Sequence, residues 1–134
     1  MEHLQQLYDM AKQARAKAYT PYSGFKVGAA IYTNNGNIFS GCNVENASYP
    51  CGTCAEAGAI SAMICGGDRE IAEILIIADT ECIRPCGNCL QKIAEFATPE
   101  TIVYSADLNG VVDKVSLTEL LPLNFKAGDI KNAE

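Results

Sequence analysis

Seven cysteines and a single histidine constrain this chain more than any other feature of its sequence. An odd number of cysteines cannot all pair as disulfides, and the N-terminus lacks the basic and apolar regions of a signal peptide. We therefore expect a reducing, cytoplasmic compartment, where clustered thiols indicate a metal or catalysis. Because the histidine is His3, at the end of the chain, any metal site must use thiolates or carboxylates.

A short motif containing two cysteines occurs twice. Residues 50–54 read Pro-Cys-Gly-Thr-Cys and residues 85–89 read Pro-Cys-Gly-Asn-Cys, each beside a predicted helix start. Cys86 and Cys89 are three residues apart, so both sulfurs lie on one side of a first helical turn, where the helix dipole favours thiolate. Cys54 lies at the other helix start. If the two starts meet, three thiolates converge and leave a fourth position open, as in a catalytic zinc site.

Glu56 follows Cys54 by two residues, within the same predicted helical turn. Zinc lowers the pKa of a bound water from about 15.7 towards about 7. A neighbouring carboxylate can take that proton and deliver it to a substrate nitrogen. The pattern Cys-x-Glu followed by Pro-Cys-x-x-Cys resembles the signature of zinc-dependent nucleoside and nucleobase deaminases.

Each part of the pattern also has another interpretation. Residues 53–56 fit a capping box, in which Glu56 reaches back to the N–H of the cap residue. A single Cys-x-x-Cys pair could be redox-active. With Cys51 as fourth ligand, the two pairs could form a structural zinc site, although they are further apart than usual and Glu56 then has no role.

The alternation of helical and strand patterns predicts the α/β fold class. Asn35-Gly36 and Asn109-Gly110 are predicted turns. We expect helices over residues 3–18, 53–65, 85–97 and 116–121, and strands over residues 25–33, 37–42, 71–78, 101–105 and 111–115. This order predicts one domain over residues 1–134, with helices on both faces of a mixed sheet.

The charge and hydropathy of the chain exclude two classes of partner. With 16 acidic and 10 basic residues, the net charge of −6 argues against a nucleic-acid groove. The longest strongly apolar run, residues 74–78, falls far short of the roughly 20 residues of a membrane span. We therefore predict that neither nucleic acid nor a membrane is a partner.

The motifs taken together resemble the cytidine deaminase family, in particular its short homotetrameric branch. The matching segments follow one another along nearly the whole chain: residues 25–30, 41–49, 53–56, 85–91, and 120–122 with Phe125. The resemblance implies a cytidine deaminase-like three-layer α/β/α sandwich with a mixed five-stranded sheet. It also implies hydrolytic deamination of cytidine and 2′-deoxycytidine in pyrimidine salvage, with one zinc ion per subunit.

The resemblance assigns roles to residues in three groups. Zinc would be held by Cys54, Cys86 and Cys89, with Glu56 as the proton shuttle. Phe25 would pack on the pyrimidine, Asn43 and Glu45 would bind the ribose hydroxyls, and Ala47, Tyr49 and Phe125 would reach the pockets of neighbouring subunits. An amide and a carboxylate suit a hydroxyl that both donates and accepts. The two-residue spacing of Asn43 and Glu45 would direct both the same way in an extended segment.

The chain departs from the family pattern at two positions where the short branch usually carries arginine. Ala57 follows Cys-Ala-Glu, and Leu90 follows the second cysteine pair. Zinc held by three thiolates has a net negative charge that an arginine would offset. Arg84, where a small residue is more usual, is either a solvated surface residue or the source of that compensation; the two helix N-termini alone are the other candidate.

Two functional alternatives stay open on the sequence. A deaminase of another aminopyrimidine nucleoside, such as blasticidin S, would share the zinc chemistry. A four-cysteine structural zinc module would have no enzymatic activity. Retention of the residues assigned to ribonucleoside binding favours cytidine over the first alternative.

Overall fold

The computed structural model describes residues 2–131, which build a five-stranded mixed sheet between helical layers. The strands are β1 (Val27–Thr33), β2 (Ile38–Cys42), β3 (Ile71–Ala78), β4 (Ala97–Asp107) and β5 (Gly110–Ser116), in the spatial order β2-β1-β3-β4-β5. Strands β3 and β4 run parallel, and the other neighbouring pairs are antiparallel. Met1 and residues 132–134 of the predicted domain lie outside the described residues.

Helices cover both faces of the sheet. They are α1 (Glu2–Ala16), α2 (Ala55–Cys65), α3 (Gly87–Glu95), α4 (Leu117–Leu120) and α5 (Ala127–Lys131), with a 3₁₀ turn at Tyr49–Cys51. On one face, Leu7 and Ala11 of α1 pack with Leu75 of β3. On the other, α2, α3 and α4 enclose a second apolar cluster. The predicted three-layer α/β/α sandwich is therefore confirmed.

Strand β3 forms the centre of the sheet. Residues 74–78 are completely buried, because β1 and β4 flank the strand and helices cover both faces. A strand buried on both faces has no polar side to alternate with its apolar one. This arrangement explains the continuous apolar run seen in the sequence. The next regular element after β3 is α3, which begins at Gly87.

Two glycines allow the helical layers to approach the sheet closely. A Cβ on Gly28 would lie 2.2 Å from the carbonyl oxygen of Ala11 in α1. On the opposite face, a Cβ on Gly41 would lie 2.4 Å from the backbone nitrogen of Ala59 in α2. The absence of a side chain at position 41 therefore lets α2 rest directly on β2, which fixes where the first turn of α2 lies.

The observed elements differ from the predicted ones mainly at their ends. Helices α2 and α3 begin two residues later than predicted, because Cys54 and Cys86 are extended N-caps with ψ values of 161° and 169°. Strand β4 begins at Ala97 and includes Pro99, which was expected beyond the end of a helix. The pairing register shifts there, from Ile71 opposite Ala97 to Glu73 opposite Ile102, and this irregularity accommodates the proline.

Helix α5 was not predicted from the sequence. Within residues 2–131, no helix combines the length and the apolar character needed to cross a bilayer.

Candidate active site

The first turns of α2 and α3 bring two thiols and one carboxylate together. Cys54 is the N-cap of α2, Glu56 is the second residue of that helix, and Cys89 is the third residue of α3. The sulfur atoms of Cys54 and Cys89 are 2.6 Å apart, and the ligand atoms of all three residues lie within 4.8 Å of one another. The two helix starts therefore meet, which is the condition that the sequence analysis set for a metal site.

Cys86 lines the same cavity but stands outside this close group. It is the N-cap of α3 and is exposed, whereas Cys89 is buried. The cavity has a volume of about 180 Å³, and its wall is formed by Val27, Asn43, Cys54, Ala55, Glu56, Ile83, Arg84, Cys86 and Cys89. All four residues predicted to bind metal or transfer protons therefore face one cavity.

The acidic groups in this cavity differ in how readily they release a proton. The hydrogen bond with Cys89 lowers the pKa of Cys54 to about 5, and the same contact raises the pKa of Cys89. Burial raises the pKa of Glu56, whose residue surface is only 5% exposed. A buried carboxyl with a raised pKa in a cavity is a candidate for proton transfer.

Lys92 is a cation near this group that the sequence analysis did not single out. Its charge lowers the pKa of Cys54, after the larger effect of the Cys89 hydrogen bond, and opposes the burial that raises the pKa of Glu56. Lys92 lies one helical turn after Cys89, and that three-residue spacing is the only signal in the sequence that could have indicated it.

The donor set of the cavity fits zinc. Thiolates are preferred ligands of zinc, and the lowered pKa of Cys54 favours its thiolate form. Magnesium and calcium prefer sites built from oxygen ligands, whereas this cavity offers three thiols, the carboxylate of Glu56 and the amide of Asn43, whose oxygen already accepts from the N–H of Val27. Cys54, Cys86 and Cys89 would hold the ion, with Glu56 beside it.

The structure also bears on two of the alternative interpretations. Helix α2 has Cys54 as its N-cap, with no side-chain hydrogen bond at the cap, so residues 53–56 do not form the capping box. Cys51 is exposed in the 3₁₀ turn. Within residues 2–131 it belongs neither to the close group of ligand atoms nor to the wall of the cavity.

Asn43 and Glu45 lie at two different cavities. They flank Val44, whose backbone bridges to Tyr19 and Thr53. The two side chains, expected to face the same way, line different cavities. Asn43 lines the thiol cavity, and its side chain is fixed by two hydrogen bonds. Its Oδ1 accepts from the backbone N–H of Val27 at 2.9 Å, and its Nδ2 donates to the carbonyl of Phe25 at 2.9 Å.

Glu45 instead faces a cavity of about 350 Å³, whose wall is formed by Tyr22, Ser23, Glu45, Asn46, Tyr49 and Gly52. Its carboxylate accepts from the backbone N–H groups of Tyr22 at 3.0 Å and Ser23 at 3.1 Å, and from the Ser23 hydroxyl. The hydrogen bond from the hydroxyl is the main reason that the pKa of Glu45 is lowered. Ser23 was missed by the sequence analysis, because its partner lies 22 residues away and no spacing rule joins them.

The other predicted substrate contacts lie on the surface. Phe25 is 42% exposed, Tyr49 is 77% exposed and Phe125 is 58% exposed, and Ala47 is exposed as well. The ring of Tyr49 contacts that of Tyr22 edge to face at a centroid distance of 6.1 Å. The carbonyl of Phe125 accepts a hydrogen bond from Gln91 at 2.9 Å. The role of Phe25 at the pyrimidine and the roles of Ala47, Tyr49 and Phe125 in neighbouring subunits stay predictions.

Arg84 has a partner that the sequence did not indicate. Its guanidinium forms an ion pair with Asp113 in β5 and donates to the hydroxyl of Ser105 in β4 at 3.2 Å. The side chain is therefore not simply solvated. Its positive charge is matched by a carboxylate, which weakens the hypothesis that it offsets the charge of the metal centre.

Comparisons with known proteins agree on one family. Residues 1–105 match the family model of the cytidine and deoxycytidylate deaminase zinc-binding region. A cytidine deaminase from Halalkalibacterium halodurans is 41% identical over 129 residues, covering 96% of this chain and 98% of the relative. A blasticidin-S deaminase from Bacillus cereus is 30% identical over 132 residues, covering 90% of this chain and 93% of the relative.

The solved structures agree with this result. The crystal structure of cytidine deaminase from Burkholderia pseudomallei superposes with a TM-score of 0.85 at 44% sequence identity, covering 90% of this chain and 98% of the other. The chain belongs to the cytidine deaminase family.

Proposed function

We infer that this protein catalyses the hydrolytic deamination of cytidine and 2′-deoxycytidine to uridine and 2′-deoxyuridine, with release of ammonia. Family membership supports this function, and one observation in the structure carries it. A buried glutamate with a raised pKa lies within 4.8 Å of two thiols that can hold zinc, in a cavity open to small molecules.

We propose one zinc ion per subunit, held by Cys54, Cys86 and Cys89. When bound, the ion supplies a Lewis acid that makes water a nucleophile near neutral pH. The contact between the sulfur atoms of Cys54 and Cys89 supports binding, because two of the proposed ligand atoms already converge on one point.

Glu56 moves the protons of the reaction. Its carboxylate accepts a proton from the attacking water and delivers it to N3 of the pyrimidine as oxygen bonds to C4. It then accepts the proton of the new hydroxyl on C4 and passes it to the exocyclic amine, which leaves as ammonia while the C4 carbonyl forms. Burial raises the pKa of Glu56, so the carboxyl can hold each proton between accepting it and delivering it.

Asn43 and Glu45 are proposed to bind the ribose hydroxyls, and Phe25 to pack on the pyrimidine. The hydrogen bonds of Asn43 to the backbone at Val27 and Phe25 fix the orientation of its amide. Glu45 is held ionised by its contacts with Ser23, so it can accept a hydrogen bond from a hydroxyl. These fixed side chains reduce the ordering needed when the nucleoside binds.

We further propose a cytoplasmic homotetramer of single-domain subunits, spanning residues 1–134, that acts in pyrimidine salvage and binds no nucleic acid. The exposure of Ala47, Tyr49 and Phe125 supports their predicted placement in the pockets of neighbouring subunits. Sites shared in this way would make activity depend on assembly.

A second candidate is a deaminase of blasticidin S, favoured by the relative from Bacillus cereus at 30% identity. The greater identity to cytidine deaminases favours cytidine as the substrate. The test measures ammonia release from cytidine, 2′-deoxycytidine and blasticidin S, each with zinc-replete and chelator-treated protein. We expect release from both cytosine nucleosides and its loss on chelation. Release from blasticidin S alone would support the second candidate, and no release from any substrate would contradict both.

A further inference from the structure

The segment that joins β3 to Cys86 is tied to the sheet at two consecutive residues. The carbonyl of Ile83 accepts a hydrogen bond from the hydroxyl of Ser105 at 2.5 Å. Arg84 donates to the same hydroxyl at 3.2 Å and forms an ion pair with Asp113. Ser105 is completely buried in β4 and lies directly opposite Asp113 in β5, so both ties end on paired strands.

These two contacts, at Ile83 and Arg84, lie immediately before Pro85 and Cys86 in the chain. Pro85 is buried, and Cys86 follows it as the extended N-cap of α3. The thiol of Cys86 has no cap hydrogen bond and its residue is exposed, so packing does not hold the side chain in place. The position of Cys86 therefore depends on the backbone just before it, which Ser105, Arg84 and Asp113 hold.

We propose that Arg84, Ser105 and Asp113 act as a clamp that positions Cys86 for metal binding. In this proposal, which rests on the proposed function, Arg84 is a positioning residue that acts through geometry. This role replaces the hypothesis that Arg84 offsets the charge of the metal centre, because the carboxylate of Asp113 already neutralises the positive charge of Arg84. A planar guanidinium can contact a hydroxyl and a carboxylate together, which a lysine ammonium does poorly.

The test measures zinc affinity by competition with a chromophoric chelator, using the full chain. The variants are Arg84→Ala, Arg84→Lys, Asp113→Asn and the double variant Arg84→Ala/Asp113→Asn. The matched control is Arg69→Ala, since Arg69 is exposed just before β3 and, within the described residues, donates to the carbonyls of Ile64 and Asp68 alone. Thermal unfolding of each metal-free variant checks that the fold is retained.

We expect Arg84→Ala and Asp113→Asn each to weaken zinc binding roughly tenfold, as for other partners that orient metal ligands. The double variant should be no weaker than either single variant, because both changes break one clamp. Arg84→Lys should lose most of the affinity, and Arg69→Ala should bind zinc as the unchanged protein does. With cobalt in place of zinc, the thiolate charge-transfer absorption should weaken in Arg84→Ala but not in the control.

If Arg84 instead offset the negative charge of the metal centre, the zinc affinities of the variants would follow the opposite pattern. Charge compensation requires Asp113→Asn to bind zinc as tightly as the unchanged protein or more tightly, and Arg84→Lys to retain affinity; either result would overturn the clamp. Equal zinc affinity in all variants would overturn the clamp and leave the proposed function intact. If the unchanged protein bound no zinc, the proposed function and the clamp would both be wrong.

Discussion

Two carboxylates of this protein expose similarly little surface to solvent, but Glu56 lies deeper in the protein than Asp68 and their surroundings differ. Glu56 is 5% exposed and Asp68, in the connection between α2 and β3, is 6% exposed. Asp68 accepts hydrogen bonds from Thr33 at 2.7 Å and from Asn35 and Asn37 at 2.9 Å each. Those three donors lower the pKa of Asp68, whereas burial raises the pKa of Glu56.

The comparison shows that low solvent exposure alone does not decide what a carboxylate does. Uncharged donors around Asp68 replace the water that it loses on folding, so the group stays ionised and ties the β1–β2 turn to the end of α2. Glu56 lies beside thiols, one of which ionises readily. Its neighbours therefore offset much less of the cost of burying its charge. The first arrangement suits structure and the second suits proton transfer.

Among changes that test the difference between Glu56 and Asp68, Glu56→Gln is expected to have the largest effect, a loss of deamination rate. The amide keeps the shape of the side chain but cannot carry a proton between water and substrate, so the rate of deamination should fall by roughly 100- to 10,000-fold. Zinc content and the unfolding temperature should stay close to those of the unchanged protein. The measurement is ammonia release from cytidine, with zinc content determined on the same samples. Near-full activity in this variant would contradict the proposed role of Glu56.

The matched change at the other carboxylate, Asp68→Asn, should lower stability and leave activity unchanged. An asparagine can accept hydrogen bonds at only one of its two terminal atoms, so at least one of the three donors loses its acceptor. We expect the unfolding temperature to fall by roughly 3–8 °C, measured by calorimetry. The activity per folded molecule at 25 °C should be unchanged, and a loss comparable to that of Glu56→Gln would remove the distinction between the two sites.

The smallest effect concerns acid stability. Because its pKa in the folded protein is below the ordinary value of 3.8, Asp68 stays ionised in the folded protein at pH values where the unfolded chain takes up a proton. Its stabilising contribution is therefore complete above that value and is lost as the pH falls below it. The difference in unfolding temperature between the unchanged protein and Asp68→Asn should narrow between pH 6 and pH 3. A constant difference would show that the donors do not favour the ionised form.

Features of the sequence that depend on local pattern predicted much of the fold. The apolar run of β3 predicted a strand covered on both faces, and Asn35-Gly36 predicted the turn between β1 and β2. Pro99 misled the prediction of β4, because a proline was expected to lie outside regular structure. The register shift opposite Ile71 lets it stay within the strand, and no pattern in one strand reveals the register of its neighbour.

The candidate site was predicted where its residues repeat a motif at a helix start, and missed where partners are distant in sequence. Cys54, Glu56 and Cys89 meet as expected, since each occupies a fixed position in a first helical turn. Arg84 and Asp113 are 29 residues apart, and Ser23 and Glu45 are 22 apart. Such pairs depend on tertiary packing, so their contacts could be found only in the folded chain.

The position of β3 in the middle of the sheet has a consequence for how the protein is made. Cys54 and Glu56 precede this strand in the chain, and Cys86 and Cys89 follow it, so all four leave the ribosome before β4 is complete. Until Ser105 arrives with β4, the backbone at Ile83 lacks its hydrogen bond and β3 lacks its parallel neighbour. A nascent chain therefore displays these four residues before the strand that fixes the backbone just ahead of Cys86 is in place.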